Sequence, residues 1–99
     1  MSVLAIGSEL FTEFFASMGF STYTYRGDCK EALKCVEQAA SRIKIFILSE
    51  RIDERCLAAI KRFLDERNLA YVIIPEMDEL DESRIHDYYD RILRPLLGI

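Results

Sequence analysis

Apolar positions along the chain alternate between short runs and helical spacing. Ser2 to Ile6 is a short apolar run that predicts a strand. Gly7 and Ser8 turn the chain, and Ser8 is a good helix N-cap. Leu10, Phe11, Phe14, Phe15 and Met18 then recur at the spacing of one helix face, and Gly19 closes that helix. Ser21 to Tyr25 is β-branched and aromatic, as strands are. Gly27 and Asp28 interrupt it. Asp28 with Glu31 resembles a capping box, opening a helix that turns Ala32, Leu33, Val36, Ala39 and Ala40 inward. Ile43 to Leu48 predicts a third strand. Asp53 caps a third helix with Leu57, Ile60, Phe63 and Leu64 on one side. Ala70 to Ile74 predicts a fourth strand, which Pro75 stops because it has no N–H for the ladder. An acidic loop follows over 76–82, then a helix from about 82 to 97, with Pro95 placed to break its last turn.

The order is βαβαβαβα. Strands apolar on both faces belong between two layers of helices. Right-handed crossovers then give an α/β fold with a four-stranded parallel sheet in the flavodoxin-like order 2-1-3-4. Ninety-nine residues suffice for one domain and one such sheet, with its core over about 1–75.

Charge narrows the function. The net charge is −4 and no Lys/Arg cluster occurs, so the electrostatic footprint of nucleic-acid binding is missing. No apolar run approaches the roughly eighteen residues of a membrane span. The start lacks the basic region of a secretory leader, so Met1 is expected to begin the mature protein. Three cysteines, Cys29, Cys35 and Cys56, form no C-x-x-C pair. The odd count and missing leader predict reduced thiols in a cytoplasmic setting.

Open α/β sheets bind ligands at the C-terminal strand ends. After the first strand stand Gly7, Ser8 and Glu9, without the spaced glycines of a dinucleotide fingerprint or the Lys of a P-loop. After the third stand Ser49 and Glu50, where a phospho-receiver domain has its acceptor Asp. The single histidine, His86, falls on the last helix, away from any cluster of metal ligands. No cofactor or metal site is expected. The loop from Glu76 to Glu82 holds five acids in seven residues. It reads as a solvated loop whose charges favour the next helix's N-terminus, or as an acidic patch for a basic partner. In the last helix Ile85, Tyr88, Tyr89, Ile92, Leu93, Leu96 and Leu97 span an apolar arc wider than one core-facing stripe. It fits packing on the sheet, with an outer edge left for a protein partner.

Four segments together resemble the F-subunit of the V-type and A-type rotary ATPases. These are the opening VLAIGSELFTEFFASMGF, the strand and turn KIFILSERIDE with its Ser49-Glu50 pair, AYVIIPE with Ile74-Pro75, and the closing RILRPLLGI with Leu97-Gly98. The likeness spans nearly the whole chain. It departs from the family at Ser8, where Asp is usual, in the first helix, which lacks an Arg, and at Glu76, where Ser commonly follows the Ile-Pro. The resemblance implies a non-catalytic central-stalk subunit, cytoplasmic and peripheral to the membrane. Its partners would be the coiled-coil D-subunit of the central stalk and the catalytic A/B head, helping couple ATP synthesis or hydrolysis to proton or sodium ion transport. Tyr88, Tyr89, Ile92 and Leu96, with Glu50 and Arg91, are the expected partner-contact residues. Two alternatives remain: a degenerate receiver-like signalling or protein-interaction domain without a phosphoacceptor, and a small enzyme or ligand-binding protein with Glu9, Ser49 and Glu50 around a pocket.

Overall fold

The computed structural model describes residues 2–76, 90–91 and 93–95. Strands β1 (Val3–Gly7), β2 (Ser21–Thr24), β3 (Ile45–Ser49) and β4 (Ala70–Ile74) alternate with helices α1 (Glu9–Ser17), α2 (Cys29–Ala39) and α3 (Glu54–Glu66). All pairings are parallel and the sheet order is β2-β1-β3-β4, as expected. Residues 93–95 form a short C-terminal helix. Residues 90–91 are helical too; the rest of the expected helix, and most of the acidic loop, lie outside the described residues.

Each helix begins where its cap dictates. Ser8, Asp28 and Asp53 accept from the backbone N–H of Phe11, Glu31 and Cys56 respectively, which satisfies donors that a helix start leaves unpaired. Gly19 follows α1 at φ 87°, a conformation that costs a residue with a Cβ.

The two-residue period of the strands divides the core in two. Leu4 and Ile6 of β1, with Phe46 and Leu48 of β3, meet Ala32, Val36 and Ala39 of α2 and Cys56, Ile60 and Leu64 of α3. Val3, Ala5 and Ile47 face the other way, onto Phe11 and Phe15 of α1, with Phe20, Ile74 and Leu93. Helices therefore cover both faces, and Leu93 puts the C-terminal helix on the α1 face. Phe15 packs edge-on to Phe11 at 4.9 Å and stacks on Phe20 at 6.2 Å between ring centroids, separations at which aromatic pairs attract.

Two expectations need correction. Leu10 shares the helical spacing of the phenylalanines but is 43% exposed; it lies on the outer flank of α1, while the next residue, Phe11, turns inward and is 3% exposed. Thr12 takes the inward place, buried, with its hydroxyl 2.9 Å from that of Thr24 in β2. The thiols are not all reduced: Cys29 and Cys56 are joined by a disulfide, Cα atoms 5.6 Å apart, and Cys35 alone is free. The cause is topological. Cys29 opens α2 and Cys56 lies in the first turn of α3. These two helices pack side by side on one face, starting from the same end of a parallel sheet.

Candidate functional site

In the order β2-β1-β3-β4 the chain leaves β1 in one direction and β3 in the other, so the switch point lies between their C-terminal ends. Gly7 and Ser8 close β1 there and Ser49 closes β3. Gly7 is needed for close approach: a Cβ on it would collide with the Phe11 ring and stand 2.9 Å from the Ser49 Cβ. The end of β4 delivers a third participant. Glu50 N–H donates to the Ile74 carbonyl at 3.0 Å, and beyond Pro75 the side chain of Glu76 turns back across the strand ends.

The Glu76 carboxylate accepts three hydrogen bonds. Ser8 N–H donates to Oε2 at 3.2 Å, the Ser8 hydroxyl donates to Oε1, and the Ser49 hydroxyl donates to Oε2. Ser49 is fully buried, and its Oγ also accepts from Arg51 N–H at 3.0 Å. Ser8 Oγ caps α1 by accepting from Phe11 N–H at 3.4 Å. A carboxylate thus sits at the positive end of α1, where such a fold would receive an anion, and the chain supplies it. Sequence reasoning assigned Glu76 to the solvated acidic loop. Its one legible signal was the departure from the Ser that follows Ile-Pro in the resembled family.

The residues singled out from the sequence are not brought together. Ser49 enters the switch point, whereas Glu9 and Glu50 stay exposed. Arg91 is exposed and, with Asp90, Arg94 and Pro95, lines an open depression of about 490 Å³. Arg94 reaches Asp90 at 3.7 Å, one helical turn away. Pro95 is still helical. Tyr88, Tyr89, Ile92 and Leu96 lie outside the described residues. Among the described residues, no group of three or more His, Cys, Asp or Glu is placed to hold a metal, and no helix is long and apolar enough to cross a membrane.

A second polar cluster stands at the starts of α2 and α3. The Tyr25 hydroxyl donates to Asp53 Oδ2, while Asp53 Oδ1 accepts from Cys56 N–H at 3.0 Å. The shared proton holds the Asp53 carboxyl below the usual carboxylate range and pushes the Tyr25 phenol up to about 12. This pair lies beside the disulfide and ties the end of β2 to the β3–α3 turn. Compared with protein-family models, curated proteins and solved structures, the chain matches none.

Proposed function

We propose that the chain is a non-catalytic central-stalk subunit of a V-type or A-type rotary ATPase. It would dock on the coiled-coil D-subunit of the stalk within reach of the catalytic A/B head, on the cytoplasmic side of the membrane. The observation that carries this reading is where the resembling segments fall. Gly7-Ser8, Ser49-Glu50 and Ile74-Pro75 are the three strand ends around the switch point, so the likeness follows the frame of the fold and not one local motif. The switch point is filled by the protein's own Glu76. A rotor component that transmits torque acts through its outer surfaces, and a frame braced at its strand ends suits that work. Glu50 and Arg91, both exposed, are available for contact, with Tyr88, Tyr89, Ile92 and Leu96 as the other expected contacts.

The test is co-expression with the coiled-coil stalk protein encoded by the same genome. A complex that survives gel filtration, and that weakens on Glu50→Ala or Arg91→Ala, supports the assignment. Two proteins that elute separately refute it. Mg²⁺-dependent labelling by a small phosphodonor would instead favour the receiver-like alternative.

A further inference from the structure

We propose that the Cys29–Cys56 disulfide is a thiol-exchange site, entered at Cys29, that clamps or releases the starts of α2 and α3. The two sulfurs are not equivalent. Cys29 is the half-buried first residue of α2, whereas Cys56 is 1% exposed inside the first turn of α3. Thiol–disulfide exchange needs in-line approach of a thiolate to a reachable sulfur, and Cys29 is the more exposed of the two residues. The sulfur expelled is that of Cys56. It lies in the first turn of α3, where the helix's partial positive charge offsets part of the cost of a buried thiolate.

The attacking thiol must come from outside. Cys35 is the remaining cysteine, and burial pushes its thiol up, which keeps it protonated. The chemistry balances with a small thiol as reductant. Its thiolate bonds to Cys29 Sγ as the S–S bond breaks, and the electron pair leaves on Cys56. A second small thiolate then attacks the small thiol's sulfur, releasing a symmetrical disulfide and the Cys29 thiolate. Two thiols supply the two electrons.

Opening the bond frees two turns from each other: the one before α2 and the β3–α3 turn that carries Glu50. The Tyr25–Asp53 hydrogen bond is a polar tie that stays in place between them. Nothing in this chemistry depends on the stalk assignment.

The test uses the full oxidised chain with reduced glutathione under native conditions, acid quenching and peptide mapping by mass spectrometry. The expected result is a glutathione adduct on Cys29 alone, with Cys56 free and Cys35 unmodified. The rate should be first-order in glutathione and at least about tenfold above global unfolding. Amide exchange should quicken at 25–31 and 50–57 on reduction, with β1 and β3 unchanged. Any of three results overturns the proposal: an adduct on Cys56, reduction at the unfolding rate whatever the thiol concentration, or three free thiols in the unreduced chain. If the wild type reduces too fast to map, chains that also carry Cys35→Ala, and so hold one thiol each, decide. Cys29 in Cys35→Ala/Cys56→Ala should react with an aromatic disulfide reagent about tenfold or more faster than Cys56 in Cys29→Ala/Cys35→Ala; equal rates refute the asymmetry.

Discussion

Removing the Glu76 carboxylate should loosen the exit of the chain from β4. In Glu76→Ala three hydrogen bonds disappear, one from a backbone N–H and two from hydroxyls. Bonds to a charged group contribute about 1.5–3 kcal/mol each when taken singly, but three on one carboxylate do not add. Ordering a Glu side chain costs roughly 1.5–2 kcal/mol, and the half-buried carboxylate retains part of its hydration. Against this, the Ser49 hydroxyl proton is stranded in a fully buried position, a penalty of about 1–3 kcal/mol. The net expectation is a loss of about 2–3 kcal/mol, since these contributions overlap. Glu76→Gln keeps an acceptor and the side chain's shape. It loses the negative charge at the α1 N-terminus, about 0.3–1 kcal/mol, and one hydroxyl must turn to accept; a loss of about 1 kcal/mol is expected. Urea unfolding measures both, with an unchanged slope and a midpoint lowered by about 1–2 M for the alanine variant. A double-mutant cycle with Ser49→Ala should give a coupling of about 1 kcal/mol. Glu13→Gln, exposed on α1, serves as the control and should stay within about 0.5 kcal/mol. If Glu76→Ala matches that control and adds to Ser49→Ala without coupling, Glu76 is one more solvated acid of its loop and the braced switch point is wrong.

Breaking the disulfide, by reductant or by Cys29→Ser with Cys56→Ala, should cost about 3–4 kcal/mol. That is the chain-entropy figure for a closed loop spanning a separation of 27 residues, and urea midpoints with and without reductant measure it. Gly7→Ala should destabilise by about 1–3 kcal/mol in thermal or urea unfolding, because the new methyl group meets the Phe11 ring and the Ser49 Cβ. A neutral result would mean that α1 moves aside freely. Tyr25→Phe should show its effect only over a bounded pH range. Asp53 titrates below its unfolded value, so its share of stability is present above about pH 4 and lost as pH falls through the folded pKa. Tyr25 titrates at about 12 when folded, so its share is present below about pH 10 and lost as pH rises towards that value. The stability gap between wild type and Tyr25→Phe should therefore be flat from about pH 5 to 9 and close at both ends. A gap that does not vary from acid to alkali would place the tyrosine's contribution in packing.

Local chemistry explains why the frame was readable. Ser8, Asp28 and Asp53 are capping residues ahead of helical spacing, and each begins a helix. Pro75 cannot continue a ladder, and β4 ends at Ile74. With strand types and order known, the handedness of crossovers leaves few sheets to choose from, and 2-1-3-4 is the one found. Errors arose at element ends, where neighbours decide. The third strand was expected from Ile43, but β3 starts at Ile45. Ile43 instead closes the end of α2, its N–H donating to the Ala39 carbonyl at 2.8 Å. Leu10 has the hydrophobicity and the spacing of a core residue, yet it lies on the outer flank of α1 beside the buried Phe11, and periodicity carries no information about where a neighbouring surface stops.

The site escaped for a stronger reason of the same kind. Glu76 meets Ser8 across 68 positions of sequence and Ser49 across 27, and Cys29 meets Cys56 across 27. Each pair is joined only once parallel strands align their C-terminal ends. Nothing local distinguishes Glu76 from the other acids of EMDELDE. What distinguishes it is that Pro75 ends β4 beside the one gap in the sheet where two hydroxyls and a helix start converge. That convergence draws a carboxylate whether it belongs to a ligand or to the chain. Glu76, tethered two residues beyond β4, has an effective concentration that a free carboxylate would have to exceed. An external anion could enter only by displacing it, so binding at this switch point and release of the segment after β4 are coupled by competition. Glu76→Ala, already expected to loosen that segment, is also the variant in which added acetate or phosphate should restore stability, if the gap keeps its shape when empty.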